Sequence, residues 1–374
     1  MAPSTRIGLA VMGQNPALNI AEKEYPISFY NRTTSKVERA IWCPSRSNHQ
    51  NFLSVHMEKG DCIIDGGLLY LGMGVSGGEE GAWHGPSLMP GGSFEASKHT
   101  EDILLKVVAQ VPDSGPCVTY IGKGGAGSFV KMVHKGIEYG DMQLISEAYD
   151  VLKSVGKLTN EELHQVLSEW FKGELLRFLF EITADVFGIR MTREKDIWVL
   201  VIGQFSKLLS CQLLLPTIAS SSDVRSLIDQ VVDTVKLIHN VIQAINASKI
   251  CSYAQGMNLI RARSSIKGWD LKQGELARIW KGGCIIHDVF LDRIKKAYDR
   301  NPDLPNLLVD PGFAKEIIER QSAWRRVVSI AINSGISTTP GMSSSLAYFH
   351  AYRSPCCLLI WSELKEIFME RVYI

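Results

Sequence analysis

The chain has 374 residues, room for two domains, with 45% hydrophobic residues, a mean hydropathy near zero and a formal net charge of +1. That balance argues against a polyanion-binding protein, so no nucleic acid partner is expected, and no apolar run approaches the roughly 20 residues needed to span a bilayer. The amino terminus enters a strand without a signal or transit pattern, and the eight cysteines show no C-x-x-C spacing, so no membrane partner, no bound metal, and free thiols in a cytoplasmic setting are expected.

Thr5-Arg6-Ile7 open a first strand that ends at Gly8, short for a central parallel strand, which is normally an apolar run of about five residues. Gly8-Leu9-Ala10-Val11-Met12-Gly13 then has the form G-x-A-x-x-G. Small residues at Gly8, Ala10 and Gly13 allow a tight turn and close approach of backbone to a pyrophosphate, with Met12 beside it and a helix amino terminus aimed at it. The motif alone is common by chance. Its context adds a helix predicted over 13–23, with Pro16 tolerated in a first turn whose amides lack intrahelical partners. A second strand is predicted over 26–30. At its end an NAD enzyme usually carries an acidic residue for the ribose, whereas this chain has Asn31-Arg32-Thr33 with Lys36 nearby. That set suits a 2′-phosphate, and NADP is the expected cofactor.

Residues 41–50 read as linker, and 68–72 as the next strand. Ser76-Gly77-Gly78 follows, either an ordinary turn or amides presented to a carboxylate. From about Phe129 the pattern turns helical. At about 100° per residue, Lys131, His134, Lys135 and Glu138 fall within one arc of about 100° on an otherwise apolar helix. Such a stripe can supply a lysine base and a carboxylic acid, or it can be a solvated face with local charge pairs. Gly136 and Gly140 leave room for a packed helix or a ligand. Further helices are predicted over 160–180, 224–245, 271–298 and 314–333. The expected fold class is an α/β Rossmann-like domain with a shortened parallel sheet over 1–124, an all-α domain over 125–352, and a tail over 353–374.

Residues 129–149, Phe-Val-Lys-Met-Val-His-Lys-Gly-Ile-Glu-Tyr-Gly-Asp-Met-Gln-Leu-Ile-Ser-Glu-Ala-Tyr, resemble nearly residue for residue the catalytic helix of the decarboxylating 6-phosphogluconate dehydrogenases, the plant-type enzymes most of all. Blocks in the same order support the resemblance: Gly-Leu-Ala-Val-Met-Gly-Gln-Asn at 8–15, Gly-Val-Ser-Gly-Gly-Glu-Glu-Gly-Ala at 74–82, Ala-Ser-Lys-Ile-Cys-Ser-Tyr-Ala-Gln-Gly at 247–256 and Ile-Trp-Lys-Gly-Gly-Cys-Ile-Ile at 279–286. The resemblance implies oxidative decarboxylation of 6-phosphogluconate to ribulose 5-phosphate with NADP, without a metal. It implies Lys131 as the base, Glu138 as the acid, and Ser76, Gly77, Gly78, His134, Tyr139 and Arg225 as substrate ligands. It also implies a homodimer.

The chain departs from the family at several points. Segments are missing after Ala40 and at 65–67, where a substrate-binding asparagine would follow. Lys135 replaces another such asparagine. Residues 191–209 replace the phosphate loop, His287 stands for an arginine, and the tail after Arg353 is unrelated. An impaired enzyme is therefore expected. A catalytically inactive relative that binds ligand or a dimer partner is the alternative, while a hydroxyisobutyrate-type dehydrogenase fits less well with the long helical domain and the Glu138-Tyr139 pair.

Overall fold

The computed structural model describes residues 5–8, 11–23, 25, 27–30, 52–54, 69–171, 183, 233–284, 286, 289–336 and 339–353. Strand β1 (Thr5–Gly8) pairs in parallel with β2 (Ile27–Tyr30), which pairs in parallel with β3 (Phe52–Ser54). Among the described residues the parallel sheet has these three strands only. Helix α1 (Val11–Glu22) makes the crossover from β1 to β2 and starts two residues before the expected Gly13, which puts Pro16 inside it, beyond the first turn. The missing amide and the ring together cost about 3 kcal/mol in a helix interior. Leu18 and Ile20 on the same helix are 7% and 5% exposed, and burial at about 1.5–3 kcal/mol per large apolar side chain offsets that cost. Asn19 Nδ2 adds a hydrogen bond to the Val107 carbonyl at 2.9 Å.

The strand expected over 68–72 lies instead over Leu71–Ser76 (β4), and it pairs antiparallel with β5 (Ser87–Gly92). Linker length decides this outcome. Residues 77–86, which hold the short helix α2 (Gly78–His84), are too few for a parallel crossover, which needs a dozen or more. Helix α3 (Phe94–Val107) follows, its amino terminus capped by the Ser93 hydroxyl accepting from the Ala96 amide. A ribbon of β6 (Gln110–Val111) and β7 (Gly115–Pro116) closes this half.

The rest of the described chain is helical: α4 (Ala126–Ser154), α5 (Asn160–Phe171), α6 (Thr234–Lys267), α7 (Gln273–Ile279), α8 (Val289–Arg300), α9 (Pro311–Asn333) and α10 (Pro340–Arg353), with a 3-10 turn at Leu307–Val309. The helix expected over 271–298 is two helices. Gly282-Gly283 interrupts it, and Gly283 has a φ of 62°. The helix expected to stop at 245 continues to Lys267, where Gly268 in the left-handed region ends it. Asp310 caps α9 by accepting from the Gly312 and Phe313 amides, ahead of Pro311 at the first helical position. Helix α6 runs along α4 and α9, and Val130, Val133, Ile137, Val241, Ala244, Met257, Trp324 and Val327 belong to the core between them. Cys117, Cys251 and Cys284 are buried and form no disulfide, and burial pushes the Cys251 thiol up to about 12. No helix among the described residues is long and apolar enough to cross a membrane.

Several contacts among the described residues join the halves. Ser87 Oγ donates to the Ile279 carbonyl at 2.7 Å, and its amide donates to the Gly283 carbonyl at 2.9 Å. The Arg278 guanidinium donates to the carbonyls of Ser114, Pro116 and Val118. The closest approach is between the β4–β5 hairpin and the start of α4, where a Cβ added at Gly127 would lie 2.1 Å from the Met89 carbonyl oxygen. Real side chains do not tolerate that distance, so Gly127→Val should shift the hairpin and destabilise the protein by roughly 1–3 kcal/mol or more. A lower urea midpoint with an unchanged slope is the expected measurement.

Candidate active site

Strand β4 delivers Ser76 at its last position, and Gly77 (φ 127°) with Gly78 (φ 67°) turns the chain sharply into α2. Gly77 has no substitute here, because a Cβ would sit 2.8 Å from the Gly283 carbonyl oxygen and the backbone conformation disfavours any other residue. The turn holds Ser76 over the second turn of α4. There Lys131 Nζ donates to Ser76 Oγ at 3.0 Å and lies 3.4 Å from His134 Nδ1, while His134 Nε2 is 3.4 Å from Ser76 Oγ. One turn further, Glu138 Oε2 lies 3.9 Å from His134 Nδ1, and Oε1 accepts from Lys135 Nζ at 2.5 Å.

Burial decides between the two readings of this stripe. His134 is 0% and Glu138 2% exposed, so this side of the stripe faces inward and is not a solvated helix surface, with Lys131 and Lys135 half-buried beside it. Burial holds the Lys131 amine below its ordinary range, reinforced by Lys135 and opposed by Glu138 and Cys284. Burial also drives His134 well below its ordinary range, and the charges of Lys131 and Lys135 push the same way. His134 is thus a neutral imidazole, seated edge-on against Trp280 with ring centroids 5.1 Å apart. Chemically, the cluster combines an amine that gives up its proton more readily, a neutral hydrogen-bonding ring, a hydroxyl and a buried carboxyl group.

Beside it opens a cavity of about 720 Å³, bounded by Met73, Gly74 and Val75 of β4 and by Lys131, Lys135 and Tyr139 among the α4 residues. Gly136 lines this cavity, whereas Gly140 serves helix packing, with Ser252 Oγ 2.6 Å from where its Cβ would be. Gly8 ends β1, and Met12 and Gly13 stand in the first turn of α1, a turn without acidic residues. That helix end fits a pyrophosphate. Helix α1 packs against α2, and at its carboxyl-terminal end Glu22 Oε1 accepts from Trp83 Nε1 at 3.2 Å. Ala10, Asn31, Arg32, Thr33 and Arg225 lie outside the described residues, as do the linker at 41–50, residues 65–67 and 191–209, His287, and the tail after Arg353.

Two contributors escaped the motif reading. Trp280 buttresses His134, and the Gly283 carbonyl confines Gly77. Both belong to the Ile-Trp-Lys-Gly-Gly-Cys block, more than a hundred residues from the stripe, and no local periodicity connects the two.

The model for the 6-phosphogluconate dehydrogenase C-terminal domain matches residues 127–207 and 204–358, and that for the NAD binding domain of 6-phosphogluconate dehydrogenase matches 5–51 and 63–122. The decarboxylating 6-phosphogluconate dehydrogenase 1 of Spinacia oleracea is 56% identical over 443 residues, covering 94% of this chain and 91% of the relative. Decarboxylating 6-phosphogluconate dehydrogenase 2 of Arabidopsis thaliana is also 56% identical, over 93% and 90%. A chloroplastic form from the same plant, decarboxylating 3, is 51% identical over 92% and 89%. The alignment to the spinach relative is longer than the 374-residue chain, so internal segments of that relative have no counterpart here. Among solved structures, the Plasmodium falciparum 6-phosphogluconate dehydrogenase, described in apo form and with NADP+ and 6-phosphogluconate, superposes with a TM-score of 0.77 at 33% identity, over 96% of this chain and 95% of that one.

The buried neutral His134 has a consequence for acid stability. Its folded-state affinity for a proton is depressed, so below the ordinary value of 6.5 the unfolded chain binds that proton first and stability falls. The loss is up to about 1.4 kcal/mol per pH unit from this one group. In His134→Gln, urea midpoints compared between pH 7.5 and pH 5 should show a shallower decline than in the parent.

Proposed function

The chain belongs to the decarboxylating 6-phosphogluconate dehydrogenase family, NADP-dependent oxidoreductases that convert 6-phospho-D-gluconate to ribulose 5-phosphate and CO2, and we propose how its residues divide that reaction. NADP, when bound, accepts the hydride from the substrate C3. Lys131 removes the proton from the C3 hydroxyl as the hydride leaves, a role that suits an amine whose proton affinity is lowered by burial. The resulting lysine ammonium then hydrogen-bonds the new ketone oxygen. With a carbonyl β to the carboxylate, the C1–C2 bond breaks and its electrons pass into an enediol. Glu138 gives the enediol carbon its proton. His134, kept neutral, orients Lys131 and the hydroxyl; Ser76 and the Gly77 and Gly78 amides bind the substrate carboxylate, and Tyr139 with Arg225 binds the phosphate. The observation that carries this reading is the contact of half-buried Lys131 with Ser76 and the buried His134, with Glu138 one turn away.

On the nucleotide side, Gly8, Ala10, Met12 and Gly13 cradle the pyrophosphate, and Asn31, Arg32 and Thr33 hold the 2′-phosphate. We assign residues 1–124 to the nucleotide domain, 125–352 to the substrate and dimerisation domain, and 353–374 to a divergent tail. The working form is a homodimer. A cytoplasmic location is favoured by the higher identity to relatives not named chloroplastic, 56% against 51%.

We also infer that turnover is impaired. The segments without counterparts include substrate contacts expected from the family, and Lys135 ties up one oxygen of Glu138. At ~1–3 kcal/mol per lost polar partner, several such losses lower kcat/KM by orders of magnitude, since ~1.4 kcal/mol is tenfold. Following NADPH absorbance with 6-phosphogluconate, the purified chain should work at least a hundredfold below a complete plant enzyme assayed beside it; comparable rates would remove the impairment.

With sensitive product detection, Lys131→Met should abolish oxidation and leave NADP affinity nearly unchanged, because the side chain acts on the substrate. Equal loss of both would make Lys131 structural. Glu138→Gln should slow ribulose 5-phosphate formation far more than it weakens substrate binding.

A further inference from the structure

Among the described residues, two cations line the cavity, Lys131 and Lys135, one turn apart on α4. Lys131 is engaged at the inner end by Ser76 and His134. Lys135 is placed differently. Its side chain is 39% exposed, its ammonium bonds Glu138 Oε1 at 2.5 Å, and it stands 5.0 Å from the centroid of the Tyr139 ring. An ammonium and a phenol thus sit together on the cavity rim. An ammonium offers three donors and no acceptor, and a phenol adds another donor, a combination suited to an anion with several acceptor oxygens.

The spacing fits the ligand as well. Residues four apart on a helix stand about 5–6 Å from each other at Cβ, comparable to the reach of a polyol phosphate between its reacting hydroxyl and its phosphoryl group. Glu138 makes the arrangement reversible, because a single carboxylate competes for Lys135 with a phosphoryl group that carries more charge and more oxygens. A lysine on its flexible four-carbon stem can change partners without moving the helix.

We propose that Lys135 recognises the phosphoryl group of the substrate by exchanging partners: its ammonium leaves Glu138 Oε1 for the phosphoryl oxygens, and the released carboxylate becomes free to take up a proton and pass it to the enediol carbon. This rests on the roles given above to Lys131 and Glu138. The exchange makes Glu138 available when a phosphorylated ligand is seated and keeps it tethered when an unphosphorylated sugar acid enters.

Isothermal titration of the full chain with inorganic phosphate, 6-phosphogluconate and gluconate tests the exchange without relying on turnover. Lys135→Met should weaken binding of both phosphorylated ligands about tenfold, the low end for a hydrogen bond to a charged group because Glu138 must be given up, and leave gluconate unchanged. Lys135→Arg should retain most of the affinity. Glu138→Gln should strengthen phosphate binding, since the competing charge is gone, an effect that a merely structural Lys135 would not produce.

Equal losses for gluconate and 6-phosphogluconate in Lys135→Met, or no loss, would overturn the proposal. If Lys135→Met does not fold, an unchanged phosphate affinity in Glu138→Gln overturns it on its own. Phosphate binding that depends on Lys135, without binding of 6-phosphogluconate, would sink the substrate reading and leave the phosphoryl site standing. Failure of the parent chain to bind either ligand would sink the phosphoryl site itself.

Discussion

The distance between the β4–β5 hairpin and the first turns of α4 governs this molecule. Gly127 on the helix touches the Met89 carbonyl so closely that a methyl group has no space. That approach brings Ser76, at the end of β4, within hydrogen-bonding distance of a lysine on the helix flank. A wider seam would leave Lys131 and His134 to water, and an aqueous lysine holds its proton too firmly to act as a base. Backbone-to-backbone packing thus sets the chemistry, and a glycine is the only residue that permits it.

Desolvation acts in the same direction on two neighbouring members of the site. It makes Lys131 easier to deprotonate and keeps His134 uncharged. Clustering two lysines around a neutral imidazole would be costly if the imidazole were also cationic; at an effective dielectric near 20, like charges 4 Å apart repel by about 4 kcal/mol. The carboxyl of Glu138 compensates, one oxygen paired with Lys135 and the other turned toward the ring. Lys135 belongs to this balance although an asparagine was expected at its position.

What could be read from the chain depended on the range of each interaction. The polar stripe on α4 was visible because helical geometry places residues three and four apart on one side; whether it faced inward was not, since that depends on a hairpin fifty residues earlier. The strand expected over 68–72 came out later, over Leu71–Ser76, and its antiparallel pairing follows from the short connection over 77–86. Pro16 suggested a later start for α1 because burial of Leu18 and Ile20 carries no local signature. Trp280 and Gly283 could not be assigned roles beforehand, since their partners, His134 and Gly77, lie more than a hundred residues away in sequence.

Arg278 gives that seam a further meaning. Its guanidinium reaches three backbone carbonyls of the segment carrying the β6–β7 ribbon, and Lys281 pairs with Asp113 on one side and Asp292 on the other. Backbone carbonyls cannot swing away as side chains do, so this staple resists hinge opening between the hairpin and the helices. Among the described residues the open route for a ligand is the mouth of the cavity, where the exposed side chains of Met132 and Tyr139 can swing aside by rotamer exchange. Such exchange takes picoseconds to nanoseconds, whereas domain movement takes microseconds or longer. Among the described residues, then, product release depends on the ligand contacts and on side-chain rotation at the cavity mouth, and not on opening of this seam.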